Sequence, residues 1–566
     1  LPGTPYKLFA AGAALALGAV LGLEALERPV APRRELVVLA TGEVRARVRR
    51  CGCMGDAHPE ASLSKVSACA CHTRTNLTGE PGAADLGAFP ERSSFQRAVG
   101  GDPLVVDSGD LLFPSLDPRD EERDEWMLRA RLLVDLEARL DLAAFTPGEL
   151  DLALGRKALE ELAARAKFAV LAGNLADART HAPIFPGHAS FLRSGVRVGV
   201  AGVLDPPRDG RLGRLLASEG LELTDAKKAA HEAVSALRAE GCEAIVLLAH
   251  APDEAAREIA RSEGITIVIE SHGNVATRSA SLIESDTAFL APFPGGGAPV
   301  KLRLGLVAGA RGLADGPELI EGRSWLARLK EQLASQVRER ESAPPDRARE
   351  LDAQIAFVTS KIAATEARLP KEPRNELTVA VHPLDAHRFK TDQDPELGIL
   401  IDQFKKDVES LALAPAVVSR LEAPAELRPG IPRAFATEAT CAACHKKQAA
   451  VWPASLHAHA WASLEKTQSQ KDPECVRCHS IGFREPGGFA EVRRAVRDGL
   501  DFRNVQCEAC HGPRQAHPAN KDVGLHLPTI ETCRKCHDAD HDPGFDPKRF
   551  DWALARPDKV CVRGLP

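Results

Sequence analysis

Between residues 441 and 537 the sequence four times places two cysteines three positions apart with a histidine directly behind the second. The sets are Cys441, Cys444 and His445; Cys475, Cys478 and His479; Cys507, Cys510 and His511; and Cys533, Cys536 and His537. Two thiols at this spacing can add across the vinyl groups of one haem while the adjacent imidazole ligates its iron, so the four motifs predict four covalently bound haems c. A zinc ribbon needs no histidine behind every second cysteine, and a thioredoxin-type pair occurs singly. A sixth ligand decides what each iron does: a second histidine closes it for electron transfer, and an open position admits a small molecule. His457, His459, His517, His526 and His541 are the candidates. They suffice for four bis-histidine haems, and one open or differently ligated iron is equally compatible with the count.

A second set of chemistry-bearing residues lies far upstream. Short β-rich runs (36–40, 104–107, 168–172, 196–203, 244–249 and 265–270) alternate with helical stretches, which predicts a layered α/β domain. The runs end in Asp107 and Asp110, Asn174, His250 and His272, where such folds gather functional side chains, so one site collecting all of them is expected. Cys51, Cys53, Cys69 and Cys71, followed by His72, form a further cluster without haem-attachment spacing; disulfides, a metal site and a redox site all fit it. Cys242 reads as a core residue, and Cys561 has no evident partner.

The elements that must position these groups divide the 566 residues into several units. Tyr6-Lys7 and the apolar run from Leu8 to Leu23 make 1–34 a signal peptide or an N-terminal membrane anchor, and so predict export to the periplasm or outer surface. The α/β domain takes 35–310. Apolar residues then recur at steps of three and four on both sides of Pro344-Pro345, which predicts an antiparallel helical hairpin over 320–370. A packing segment follows over 371–422, with a strand at 377–381, and a proline-rich linker leads to a mainly helix-and-loop haem domain at 437–566. A net charge of -6 offers no surface for nucleic acid. Redox partner proteins are expected; the sequence does not fix the oligomeric state.

Two resemblances sharpen this. Cys441-Ala-Ala-Cys-His, the stretch from Trp452 to Trp461, Cys475 to Gly482 and Val505 to Pro513 resemble the cytochrome c-554 family of tetrahaem electron carriers over roughly 437–552. That likeness implies electron transfer outside the cytoplasm, with His457 or His459 and His517 as distal ligands. The chain departs from the family pattern after Trp552, where a histidine is expected. Val105 to Leu111, Leu171 to Leu175, Val196 to Gly202, Leu247 to His250 and Ile269 to His272 resemble the 5'-nucleotidase branch of calcineurin-like metallophosphatases. That resemblance implies Asp110 as a bridging carboxylate and His250 and His272 as metal ligands. Its Asp-x-His motif falls on Thr41-Gly42-Glu43, its Gly-Asn-His-Glu motif on Thr146-Pro147-Gly148-Glu149, and its last histidine on Asn274, so the two-metal site is degenerate, and the donors that remain, Asp110, His250 and His272 with Glu43, would make a single-metal site. The expected molecule is an exported multihaem cytochrome on an inactive metallophosphatase-like scaffold or docking surface. A metal-dependent phosphohydrolase with an accessory cytochrome and an oxidoreductase acting on a small nitrogen or sulfur compound are the alternatives.

Overall fold

The computed structural model describes residues 33–46, 89–207, 210–261, 264–272, 282–292, 299–308, 310, 312–382, 384, 393–411, 413, 415–423, 425–428, 431–467, 469–491, 495–517 and 528–537. Nearly all of the expected leader or anchor, the cluster Cys51, Cys53, Cys69 and Cys71, and His526 and His541 lie outside these residues. Among the described residues no helix is long and apolar enough to cross a membrane.

Two sheets form the α/β domain. One runs in the order Leu313–Asp315, Asn375–Val381, Val300–Val307, Arg33–Thr41, Leu104–Asp107, Leu142–Phe145, Ala169–Val170; the other runs Leu282–Glu284, Thr287–Leu290, Ile267–Ser271, Ala244–His250, Val196–Leu204, His188–Arg193. In the first sheet the four strands from Arg33–Thr41 to Ala169–Val170 run parallel, Val300–Val307 is antiparallel to both its neighbours, and Leu313–Asp315 is parallel to Asn375–Val381; in the second the four inner strands are parallel and each edge strand is antiparallel. Because side chains alternate across a strand, Leu36, Val38 and Ala40 of the first sheet meet Val198, Val200, Val246 and Leu248 of the second in one apolar layer. The opposite faces, Leu39 and Val105 in one sheet and Ile245 and Leu247 in the other, pack under separate groups of helices. The result is a four-layer α/β/β/α sandwich.

The segment 371–422 contributes to this body directly: Asn375–Val381 lies inside the first sheet, antiparallel to Val300–Val307. The helical hairpin leaves and re-enters the same sheet. Gly316–Ser342 begins under the Asp315 side chain, which accepts the Glu318 N–H at 3.0 Å, and it ends before Pro344; Pro345–Arg368 returns alongside. Leu329, Val358 and Ile362 are buried between the two helices, and Lys330–Glu366 and Arg340–Asp352 pairs, each 2.8 Å, flank them. The proline-rich stretch forms a two-stranded ladder of Ala425–Arg428 with Ile431–Arg433. The region that follows consists of short helical turns around a small core of Phe435, Trp461, Val476, Ile481, Phe489 and Phe502.

Arg92 and Glu137 form a bidentate pair at 2.7 and 2.9 Å under the first sheet, with 2% and 0% of their side chains exposed. Removing one partner strands a buried charge. Glu137→Ala is expected to lower stability by about 3–5 kcal/mol, measured as the shift of the unfolding transition in guanidinium. A loss below about 1 kcal/mol would show that water reaches Arg92 and that the pair is not the buried contact described.

Candidate metal and haem sites

Four parallel strands, two from each sheet, end at one edge of the sandwich, and the turns beyond them bring Asp110, Glu149, His250 and His272 together. One ligand atom of each lies within 4.8 Å of all the others. His250 is the last residue of its strand; its Nδ1–H donates to the Ser108 carbonyl at 2.8 Å, which directs Nε2 to the centre, 2.6 Å from Glu149 Oε2. His272 Nε2 lies 3.0 Å from both Glu149 Oε2 and His250 Nε2. Asp110 Oδ1 accepts from Leu150 N at 3.0 Å, while the buried Oδ2 has no hydrogen-bond partner. Asp110 and His272 both hold left-handed backbone, φ 56° and 61°, a conformation that costs an L-residue roughly 1–2 kcal/mol and so marks an imposed geometry.

Asp151 builds the loop beneath, taking the N–H groups of Asp110, Leu112 and Gly148 at 2.7–2.9 Å. Burial, reinforced by Asp110 next to it, pushes the Asp151 carboxyl up to about 8. Burial also raises Asp110, to about 6, against the pull of His250. Burial opposes charge on His250, but Asp110 and the hydrogen-bonded Glu149 overcome it and raise the imidazole to about 10. Burial would likewise raise Glu149, yet hydrogen bonds from His250 and His272 hold it below the usual carboxylate range. An unpartnered buried carboxylate oxygen among two imidazoles and a second carboxylate is the donor set of a single divalent cation such as zinc, manganese or iron.

The expectation that all the strand-end residues share one site is corrected. Asn174 is spent on backbone: it donates to the Leu204 and Thr224 carbonyls at 2.7 and 3.2 Å and accepts from Leu204 N at 2.9 Å. Asp107 is tied to the Gly109 N–H and the Thr41 hydroxyl at 2.9 and 2.7 Å. Glu43 stands behind the cluster, accepting from His272 N at 2.9 Å and meeting Arg45 at 2.9 Å, so it positions His272. Glu149, the one carboxylate that sequence reasoning left out, takes the place expected of Glu43. A side chain at position 148 is excluded, because a Cβ there would run into Asp110 and His250.

The haem segment is built from single helical turns, including Thr437–Ala442, Pro473–Val476, Cys507–His511 and Ile530–Arg534. One turn brings the first cysteine, the second and the histidine to the same side; His445 N and His537 N donate to the carbonyls of Cys441 and Cys533 at 2.9 and 2.8 Å. The turns meet in pairs: the Cys441 thiol contacts that of Cys507, and Cys478 contacts Cys536. Glu508, within the third motif, is buried and accepts from the N–H groups of Ala436, Thr437 and Arg514 at 2.7–2.9 Å, fastening the first motif to the third. Burial raises its pKa despite those bonds.

The rings themselves test whether a haem fits. Two imidazoles bonded to one iron at about 2 Å on opposite sides have centroids roughly 6 Å apart. His445 and His517 are 6.4 Å apart with planes at 24°, and His457 and His537 are 6.2 Å apart at 67°. His517 Nδ1 is buried without a hydrogen-bond partner. Enclosure by protein, together with His537 and His479 nearby, lowers the His457 pKa and keeps the ring neutral, as an iron ligand must be. His479 Nδ1–H donates to the Ala460 carbonyl at 2.7 Å, which turns Nε2 the other way. His459 instead uses Nε2 on the Pro453 carbonyl at 2.9 Å, so of the two neighbouring histidines it is His457 that faces a motif.

A proton on His250 must leave before a cation binds there, and with the pKa raised to about 10 it leaves more readily as pH rises. Divalent-metal affinity of the haem-loaded protein, measured by chelator competition, is expected to increase between about pH 6 and 9, and Glu149→Gln to weaken it by about tenfold or more. Affinity that ignores both changes would remove this cluster as a metal site.

Comparison with known proteins bears mainly on the C-terminal segment. Residues 440–512 match the family described as cytochrome c554 and c-prime. Cytochrome c-554 of Nitrosomonas europaea is 35% identical over a stretch that covers 17% of this chain and 50% of that protein, so the chain spans about half the length of this curated relative. Solved structures to which the chain is similar include the Thermus thermophilus sulfate thiohydrolase SoxB in complex with glycerol (16% identity, TM-score 0.42, 68% of this chain and 62% of that one). The calcineurin-like phosphoesterase YfkN from Bacillus subtilis (15%, 0.40, 66% and 98%) and the Haemophilus influenzae NAD nucleotidase (14%, 0.40, 68% and 61%) are two more. Over residues 440–512, then, the chain is similar to the cytochrome c554 and c-prime family, and its Cys-x-x-Cys-His turns and paired histidines are the residues that would hold haem c covalently.

Proposed function

We propose that the chain is an exported multihaem cytochrome that passes electrons through four covalent haems, one at each Cys-x-x-Cys-His turn, to and from redox partner proteins of the periplasm or outer surface. The observation that carries the reading is the pairing of His445 with His517 and of His457 with His537 at the separation one iron requires. A haem held this way supplies one-electron exchange between ferric and ferrous iron. The residues do the rest. His517 and His457 would close two irons against small molecules, Cys441 beside Cys507 and Cys478 beside Cys536 would keep attachment points of different haems close together, and Glu508 fastens the first of these pairs. The leader-like start, Tyr6-Lys7 and the apolar run to Leu23, supports export.

The α/β domain serves in this reading as the scaffold, with one divalent cation at Asp110, Glu149, His250 and His272. Support comes from two positions where the resemblance to two-metal hydrolases calls for side-chain donors: Pro147 and Gly148 offer none. Release of phosphate from a nucleoside monophosphate by the metal-loaded protein would replace the scaffold with a hydrolase.

Full-length protein matured with haem is expected to carry four covalent haems in the alkaline pyridine spectrum, and His517→Ala and His457→Ala each to convert one haem from low to high spin. Fewer than four haems on intact chains would overturn the count, and unchanged spectra in both variants would overturn the ligand pairs.

A further inference from the structure

At the seam between the α/β domain and the haem segment lies a buried arginine that grips carboxylates from both sides. Arg129, from the helix Arg123–Arg139, has 5% of its side chain exposed. Its Nη2 donates to Asp472 Oδ1 at 2.7 Å and lies 3.5 Å from Glu125 Oε1; its Nη1 is 3.1 Å from Glu474 Oε2; and its guanidinium covers the Phe404 ring at 5.2 Å. Glu125 also meets Arg484 of the haem segment at 3.2 Å, both side chains being buried. The two carboxylates that Arg129 grips begin the second haem motif. Asp472 caps the helix Pro473–Val476, its carboxylate accepting Glu474 N at 3.1 Å and its carbonyl accepting Cys475 N and Val476 N at 3.1 and 3.0 Å. Glu474 is the residue before Cys475, whose sulfur is the attachment point.

We propose that Arg129 is a positioning residue for the haem at Cys475, Cys478 and His479, and that its charge raises the reduction potential of that haem by compensating Asp472 and Glu474. The inference rests on haem attachment at this motif. Reduction adds one electron to the iron and removes one positive charge, so negative side chains nearby favour the ferric state and lower the potential. Partial burial screens Asp472 and Glu474 little, and Arg129 is the cation placed against both. Taking away its charge therefore lowers the potential of one haem. Taking away the charge of Glu474 while Arg129 stays raises it. A contact that merely held the two domains together would give no such opposition of sign.

The test is a spectroelectrochemical redox titration of the full-length, haem-loaded protein and its variants. The relevant transition is the one that His479→Met displaces. Arg129→Gln is expected to move that transition to lower potential and Glu474→Gln to move it higher, with the double variant returning toward the wild type and the remaining transitions unmoved. Arg129→Lys, which keeps the charge, should move it least. If Arg129→Gln does not accumulate, the upward shift in Glu474→Gln carries the test. Shifts of the same sign, shifts spread over all the haems, or no shift in fully loaded protein overturn the proposal alone. Wild-type protein without haem at Cys475 overturns the attachment reading and this proposal with it.

Discussion

Everything in the α/β domain follows from burying both faces of its central strands. With one face against the other sheet and one against helices, Val198 and Val200 on one side of a strand and Ala201 and Val203 on the other are all apolar, and polar side chains such as Arg197 and Glu270 stand toward the strand ends. Polar chemistry is thereby confined to the strand ends. His250 is the last residue of its strand, His272 follows directly on its own, and Asp110 and Glu149 lie in the turns after theirs. The strained backbone at Asp110 and His272 is held by this packing, since Asp151 fixes the loop from one side and Glu43 the turn from the other.

What could be read from sequence was whatever depends on neighbours in the chain. The haem motifs are local chemistry, written in five residues each. The hairpin is local periodicity, with Pro344 and Pro345 marking its turn. The strand Ala244–His250 announces itself by composition. Asp110, His250 and His272 were legible as strand-end residues, but Glu149 was not, because its motif was judged by the donors it had lost and only the fold carries its carboxylate across to His250. Asn174 misled for the opposite reason: a polar residue beyond a strand is as often spent on backbone as on a ligand. Nothing local marks Glu508, between two cysteines, as buried; it is buried because the first motif lies over it.

The domain that holds the haem segment is also less separate from it than the sequence suggests. Nothing in its neighbours marks Arg129 as a contact residue, yet it is buried against Asp472, 343 positions away. Contacts at that separation have no periodic signature and leave no trace in composition.

Placing Asn375–Val381 between strands that precede the hairpin has a consequence for how the molecule is made. A chain synthesised from its N-terminus cannot close the first sheet until that strand has emerged, so the hairpin exists before the body that carries it is complete. Closure comes some sixty residues before Cys441, which means that the wall against which the haem segment packs is finished before the first haem-binding thiol appears. The order of the elements in the chain thus works as an assembly schedule, in which the cysteines are released for maturation onto a surface already folded to receive them.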